Sequence, residues 1–593
     1  MTAPEQVKLR PAKWLLGSCE AQAVQKLAAE LSLGLPVARV LYARGYRDPA
    51  RALAFLEPRI EDLHDPSLMQ DMGPAVHRVM NAVATQQRIL LYGDYDVDGT
   101  TSIVILKKAL DLLGASAEYF VPNRLKDGYG MRPEVIDRAA REGVALVISV
   151  DTGIRASAVV EHARTLGIDV IVTDHHLPEA DLPRAVAVLN PNRPDCRYPE
   201  KNLCGAGVTF KLVQALLAAA GLPNDRVGRL LDSFLKLVAV ATVADVVPLV
   251  GENRVIVKRG LEGFHTVRNA GLRALLNVAG FKDGDCPTAG QVAFRVAPRI
   301  NAAGRMASAS DVIEMFLTGD PARALTLATQ LHDLNKERQD TEAEIIRIIH
   351  EICLEKPVND GDSVLVFSGE GWHKGVVGIV ASRMVDRYFR PVFVLSEDAA
   401  TGLAAGSGRS VSGFHLLEAL ESMGPLFHKY GGHRQAAGVT LSCKDVEEFR
   451  SRLNSWAAVR LCPDDFCPKI EIDATLELKE LTEETVSQVL GLAPFGFGNP
   501  TPVVAVLNAE IAGPPNVGDK ITRIPIRQGD RTVWVKSWNN QRRWEDFAQG
   551  TRVDVAICLE EDAYSAARGY PGWCASVKDM RPAGAGPTQL RVG

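Results

Sequence analysis

Between Leu91 and Ser102 the chain reads LYGDYDVDGTTS, with aspartate at 94, 96 and 98 and glycine at 99. Carboxylates this close repel one another, and an ordered cluster of them is costly unless a cation sits among them. The stretch therefore asks for a metal. Its opening is that of an EF-hand loop. Such a loop needs a bidentate glutamate at its twelfth position, and counting from Asp94 that place is held by Ile105. The flanks also argue against it. RILLY (88–92) reads as a short buried strand, and TSIVILKKALDLLG (101–114) as a helix that stops at Gly114. Strand, acidic turn and helix make an α/β unit, whose functional residues gather beyond the carboxyl ends of the strands.

The same alternation continues. AEYFVPN (117–123), ALVISVDTG (145–153), IDVIVTDHH (168–176) and AVAVLNP (185–191) read as strands, with RPEVIDRAAREG (132–143) and ASAVVEHARTLG (156–167) as helices between them. This predicts an α/β fold with a parallel sheet covered on both faces. Asp151 ends one strand, and Asp174, His175 and His176 end another; Asp245 closes the later apolar segment FLKLVAVATVADVVPL. Carboxylates with imidazole and no thiolate suit Mn²⁺ or Mg²⁺. A cluster of this size has room for two cations roughly 4 Å apart, the arrangement that drives in-line attack of water on phosphorus. A lone aspartate at a strand end is usually a helix cap or turn former. An isolated histidine is usually structural, and His162, His265, His332 and His350 are read that way.

At 593 residues the chain exceeds a single core. The expected division is 1–65 as an N-terminal segment, 66–265 as the metal-bearing domain, 266–356 as a helical connector, 357–458 as a second α/β domain and 459–593 as a small β-barrel. Residues 321–356 form one long polar helical pattern, which fits a solvated surface helix or a rigid strut equally well. Composition is that of a soluble protein, 46% hydrophobic and 23% charged, with no apolar run of membrane-spanning length. The N-terminus lacks the apolar core of a signal peptide, so a cytoplasmic protein without a membrane partner is expected. The 10 cysteines include no CxxC pair, which fits reduced thiols. Net charge is 67 − 72 = −5. That argues weakly against a protein that coats nucleic acid, and leaves room for a local basic channel.

One tail segment is such a region. RIPIRQGDRTVWVKSWNNQRRW (523–544) interleaves Arg523, Arg527, Arg531, Lys536, Arg542 and Arg543 with Trp534, Trp538 and Trp544. Aromatic faces stack bases and basic groups follow phosphates, a combination tolerant of sequence. The competing reading makes the tryptophans barrel core and the charges solvent-facing.

The motifs DYDVDGTTS, VDTG, TDHH and VADVVPL, in that order, resemble those of the DHH phosphoesterase superfamily. APRINAAGRM (297–306), WHKGVVGIVASR (372–383), GSGRS (406–410) and GGHRQAAG (431–438) extend the likeness to its RecJ family of bacterial single-strand-specific exonucleases. The resemblance implies a DHH catalytic domain, a DHHA1 domain that closes over substrate, and an OB-type barrel. It implies that Asp96, Asp98, Asp151, His175 and Asp245 bind two divalent cations, Mn²⁺ or Mg²⁺, with Asp151 bridging. Asp94 stands near where many relatives place a histidine ligand, and His176 would face the scissile phosphate. Ser407, Arg409 and His433 would contact phosphate, and Arg299, Asn301 and Arg305 the 5′ end of the strand. Trp534, Lys536, Trp538 and Arg542 would hold single-stranded DNA on the barrel. The implied activity is 5′ to 3′ degradation of single-stranded DNA to mononucleotides in recombination and repair. Single-strand-binding protein and a RecQ-type helicase are the implied partners. Rival readings are a DHH phosphodiesterase of very short RNAs or cyclic dinucleotides, a pyrophosphatase, which would share the metal cluster but needs no such tail, and a non-enzymatic scaffold on the same fold. The last predicts eroded ligands, whereas every expected acid and histidine is present.

Overall fold

The computed structural model describes residues 11–124, 128, 130–359, 361–538, 547–566, 568–569, 571–585 and 588–590. They form two compact units. One comprises Ala50–Lys336 with Leu492–Thr501; the other comprises the described residues of Met1–Pro49, Glu337–Gly491 and Pro502–Gly593.

The first unit is built on five parallel strands: β1 (Arg88–Tyr92), β2 (Ser116–Phe120), β3 (Val144–Val150), β4 (Asp169–Thr173) and β5 (Ala187–Leu189), in the order β2-β1-β3-β4-β5. The central strands are almost continuously apolar and buried, as strands covered on both faces must be. This order sets the carboxyl ends of β1, β3 and β4 side by side, so the three acidic segments foreseen in the sequence emerge at one edge.

Four helices of this unit matter here: α1 (Val97–Leu112), which packs against α2 (Gly205–Ala219) and α3 (Asn224–Ala244), and α4 (Gly251–Glu262), which packs on α3. Helix α1 starts four residues before the Thr101 expected from sequence, because Asp96 caps it. One carboxylate oxygen of Asp96 accepts the N–H groups of Asp98 (2.9 Å) and Gly99 (3.0 Å). The apolar segment before Asp245 is the inner half of α3, and Asp245 is that helix's C-terminal cap.

Beneath this edge lies a fully buried ion pair. Lys211 of α2 donates to Glu252 of α4 at 2.9 Å and to the His64 carbonyl at 2.6 Å. Tyr198 donates to the other Glu252 oxygen at 2.7 Å, and the His64 N–H to the first at 3.1 Å. Both Glu252 oxygens and two of the three Lys211 N–H groups are bonded, which is what makes a buried pair tolerable.

Downstream, α5 (Ala297–Met306) precedes α6 (Pro321–Glu355), a continuous helix of 35 residues. The second unit holds a five-stranded sheet made of β6 (Leu365–Glu370), β7 (Val392–Asp398), β8 (Leu403–Arg409), β9 (Lys429–Gly432) and β10 (Ala436–Ser442), in the order β9-β10-β8-β7-β6. Helix α7 (Val377–Tyr388) packs on β7 and β8. The same unit holds a closed barrel: β11 (Val503–Ile511), β12 (Ile521–Gln528), β13 (Arg531–Trp538), β14 (Arg552–Glu561) and β15 (Trp573–Pro582). Pairing runs β11-β14-β15-β13-β12 and returns to β11 through Glu510–Arg527 and Ile511–Ile526. Beside it, Lys13–Leu16 pairs with Lys469–Ile472 and Thr588–Leu590, and the buried Trp14 ring donates to Asp579 at 2.8 Å.

Replacing Lys211 by methionine strands the Glu252 charge in the core. The expected cost is about 3–5 kcal/mol, read as a melting temperature lower by roughly 5–10 °C, with partial recovery in Lys211→Met/Glu252→Gln. Thermal unfolding with calorimetric detection measures both.

Candidate metal centre

Asp98 lies in the first turn of α1 with both carboxylate oxygens held. They accept the N–H groups of Gly205 (2.6 Å) and Ala206 (2.7 Å) at the start of α2, where helix geometry leaves donors unpaired and favours an anion. The approach is so close that a Cβ on Gly205 would lie 2.6 Å from the Asp151 side chain, so only glycine fits there. Asp151 itself leaves β3 in the left-handed region, φ 57°, with its N–H donated to Thr173 at 2.9 Å.

Around these two acids the others converge. His175 Nε2 is 3.3 Å from Asp151 Oδ1 and 3.8 Å from Asp98 Oδ2, while Nδ1 is 3.8 Å from Asp245 Oδ2. Three overlapping groups place potential ligand atoms within 4.8 Å of one another: Asp94, Asp96 and Asp151; Asp98, His175 and Asp245; Asp151, His175 and His176.

Asp174 plays a different part from its neighbours. It accepts the backbone N–H groups of Ile154 (2.9 Å), His175 (2.8 Å) and His176 (3.1 Å), and the His176 ring at 2.7 Å. It thus sets the course of the DHH segment. Asn190 and Asn192, just after β5, donate to the His176 and His175 carbonyls at 2.9 and 2.6 Å. The two asparagines were not singled out from sequence; the signal was their place immediately beyond a strand end.

The electrostatics show what is missing. Asp94 Oδ1, Asp151 Oδ1 and Asp245 Oδ2 are buried oxygens without a hydrogen-bond partner, a costly state for a carboxylate. Burial, then the Asp96 charge, pushes Asp94 up to about 8. Burial, then Asp98 and Asp96, pushes Asp245 up to about 9. Asp98 and Asp151 are raised for the same reason, burial first and neighbouring acids after. His175 is lowered by burial. Burial acts on His176 in the same direction, but the hydrogen bond and charge of Asp174 outweigh it and raise its pKa. Hard oxygen donors with one imidazole, left bare and reluctant to ionise, fit a divalent cation.

The remaining sequence-predicted residues have definite places. Asn301 of α5 accepts the Val97 N–H at 3.3 Å, tying α5 to the start of α1. Arg299 is turned into structure, donating to His332 at 3.1 Å and to the Val278 and Arg295 carbonyls. Arg305 is half-buried and acts electrostatically on Tyr95. In the second unit, Arg409 at the end of β8 donates to Ser407 Oγ at 2.7 Å. His433 is exposed just after β9. Ser407 lines a groove of about 470 Å³ together with Lys374, Lys429, Tyr430 and Gly431. The two lysines were not foreseen, although Lys374 lies within the quoted WHKGVV and Lys429 two residues before GGHRQAAG.

On the barrel, Trp534 and Trp538 are 51% and 45% exposed, so they are not core. With Lys536 they occupy one face of β13, while Val533, Val535 and Ser537 point inward. Lys536 pairs with Asp562, and the Trp538 ring donates to Ser576 at 3.1 Å. Arg542, Arg543 and Trp544 lie outside the described residues.

Comparison with known proteins agrees with this architecture. Residues 88–242 match the model of the DHH family N-terminal domain, 361–459 the DHHA1 domain and 472–569 the RecJ OB domain. The single-stranded-DNA-specific exonuclease RecJ of Bacillus subtilis is 36% identical over 547 residues, which is 92% of this chain and 68% of that protein. The chain belongs to the RecJ family. The Escherichia coli member is 38% identical over 491 residues, 80% of this chain and 84% of its own. The crystal structure of RecJ in complex with Mn²⁺ from Thermus thermophilus superposes with a TM-score of 0.80 at 30% identity, covering 97% of this chain and 80% of that one. Among the described residues no helix is long and apolar enough to cross a membrane.

The raised carboxyls have a consequence for stability. A folded-state pKa above the unfolded value of 3.8 means stabilisation that is full below pH 4 and is lost as pH rises through about 8 and 9. In chelator, the melting temperature should fall between pH 5 and pH 9. Asp94→Asn and Asp245→Asn should each flatten that slope.

Proposed function

We propose that this chain is an exonuclease that degrades single-stranded DNA from its 5′ end to mononucleotides, in DNA recombination and repair. The observation that carries the reading is the convergence of Asp94, Asp96, Asp98, Asp151, His175 and Asp245 on one strand edge, with three of their buried oxygens unpartnered, in a member of the RecJ family.

Those six residues would hold two divalent cations, Mn²⁺ or Mg²⁺, and Asp151 is the acid shared by two of the three ligand groups. Bound there, the cations supply an activated water and neutralise charge on the leaving oxygen. The chain's own groups do the rest. Asp98 is held at both oxygens by the start of α2, which fixes its place without a side-chain partner. Asp174 holds His176 by Nδ1 and favours its protonated form, so His176 is suited to donate to a phosphate oxygen. Ser407, Arg409 and His433, with Lys374 and Lys429 beside them, present hydroxyl, guanidinium and ammonium groups to further phosphates. Asn301 and Arg305 lie on the helix that supports α1, a position from which they would meet the terminal nucleotide; Arg299, on the same helix, would join them only by giving up its bonds to His332 and the Val278 carbonyl. On β13, Trp534 and Trp538 offer exposed rings to bases and Lys536 a charge to the backbone, with Arg542 continuing the same segment. In this assignment catalysis belongs to residues 66–265, linkage to 266–356, closure over substrate to 357–458 and strand holding to 459–593, with residues 1–65 outside the chemistry. The setting is cytoplasmic, with single-strand-binding protein and a RecQ-type helicase as partners.

Digestion of a linear oligonucleotide labelled at either end, with Mn²⁺ or with chelator, tests the reaction. Early release of the 5′ label as mononucleotide is expected, with circular single strands resistant. Asp151→Ala and Asp245→Ala should each lose well over the roughly 10–100-fold that removal of an orienting partner costs. Tight binding without cutting, equal in variant and unmodified protein, would make the chain a DNA-binding scaffold instead.

The barrel assignment has its own test. Trp534→Ala should raise KM for long single strands about tenfold, the size of one lost stack, with kcat nearly unchanged. Unchanged KM would remove Trp534 from the interface.

A further inference from the structure

Unlike the acids that follow β1 and β3, Asp245 comes at the end of a helix. It caps α3, and the chain must then turn. Val246, next in line, has φ 58° and is 64% exposed. A β-branched residue is disfavoured in left-handed backbone, by on the order of 1–3 kcal/mol. Its own N–H reaches only the Val243 carbonyl, at 3.4 Å. The turn that carries Asp245 is therefore held from elsewhere.

The holding contacts come from Leu492–Thr501, a segment that lies in sequence between the second unit's elements yet packs as part of the first. The Leu249 N–H donates to the Phe497 carbonyl at 2.7 Å. Gly498 has φ 73°, and a Cβ there would meet Pro248 Cβ at 2.7 Å and Cα at 2.9 Å. A Cβ on Gly496 would meet the end of the Leu249 side chain at 2.7 Å. The segment thus lies close on Pro248 and Leu249: a methyl group at 498 would run into backbone, and one at 496 into the Leu249 side chain.

It is also stiff. Gly496 and Asn499 exchange two backbone hydrogen bonds, of 2.9 and 3.2 Å. The Asn499 side chain, 1% exposed, donates to the Leu492 and Pro494 carbonyls at 3.0 and 2.8 Å. From α4, the buried Arg254 donates to the Ala493 carbonyl at 2.9 Å and to the Phe55 carbonyl at 2.6 Å. Asn253, also of α4, donates to the Pro248 carbonyl at 3.2 Å.

We propose that the strap Leu492–Thr501 is a positioning element for the metal centre, holding the Val246–Leu249 turn so that the Asp245 carboxylate meets His175 and Asp98. Gly496, Gly498 and Asn499 are its positioning residues. None touches the substrate or the cations, and they act through the turn. The inference rests on Asp245 being a metal ligand.

Gly498→Ala tests it, with Mn²⁺ binding followed by loss of the free aqueous Mn²⁺ signal in electron paramagnetic resonance. Affinity should fall on the order of 10–100-fold, as when a ligand loses its orienting partner. The Mn²⁺ concentration for half-maximal activity should rise in step, excess Mn²⁺ should restore much of kcat, and KM for a short oligonucleotide should stay within about twofold. Gly496→Ala, whose added methyl meets only a side-chain tip, should show the same changes in weaker form and serves if Gly498→Ala does not fold. Unchanged Mn²⁺ affinity in both variants, or an activity loss that excess Mn²⁺ does not touch, would overturn the positioning role. Asp245→Asn separates the two ideas: if it binds Mn²⁺ as the unmodified protein does, the ligand assignment itself falls, whatever the strap variants show.

Discussion

Like charge taken out of water is the constraint on which the catalytic unit depends. Asp94, Asp98 and Asp151 are buried, and Asp245 nearly so. Carboxylates at this spacing resist ionisation together. The fold meets the problem first with backbone donors, because these are fixed by secondary structure and need no side chain ordered for the purpose. Asp96 takes two N–H groups of its own helix, Asp98 two from α2, and Asp174 three from the segments that follow β3 and β4. The bare oxygens fall on Asp94, Asp151 and Asp245. The backbone thus holds Asp98 and Asp174 at both oxygens and Asp96 at one, and leaves a buried oxygen of Asp94, Asp151 and Asp245 without a donor.

Much of this edge was legible in the sequence, for a reason that can be stated. Parallel strands buried on both faces are apolar runs, and the chain must emerge at their carboxyl ends, so the polar residues directly after RILLY, ALVISV and IDVIVT had to lie together. Asp245 was harder. FLKLVAVATVA is apolar as strand or helix, and its identity as the end of α3 depends on burial against neighbours that the local pattern does not name. The conformation of Asp151 was not legible either. Left-handed backbone at Asp151 is accompanied by the close approach of Gly205, some fifty residues later, which no local pattern announces. Cap and ligand are not exclusive for an aspartate after a strand: the Asp96 cap uses one oxygen, and a carboxylate oxygen of Asp96 lies within 4.8 Å of Asp94 and Asp151.

The barrel shows where period-two reasoning runs out. In TVWVKSW the alternation puts Trp534, Lys536 and Trp538 on one face and Val533, Val535 and Ser537 on the other. Both faces had a claim on the interior, since tryptophan and valine are each good barrel core. Closure decides it. With β12 returning to β11, the interior of a five-stranded barrel is narrow, and β-branched residues fill it better than indoles. The tryptophans are left outside by volume rather than by polarity, and a pair of half-exposed rings flanking a lysine is the surface that results.

A similar economy of space governs the strap. The glycines of PFGFGNP do not make a slack loop: Asn499 ties the segment to itself, Arg254 anchors its beginning, and another part of the chain stands close to where a side chain at 496 or 498 would be. Flexible sequence and rigid structure are compatible because glycine removes the steric barrier to close approach, and hydrogen bonds then remove the freedom. The last acid of the cluster is held by contacts far away in sequence. The geometry around His175 is therefore complete only when residues near 497 have folded onto residues near 249, a closure that local propensity in α3 cannot supply.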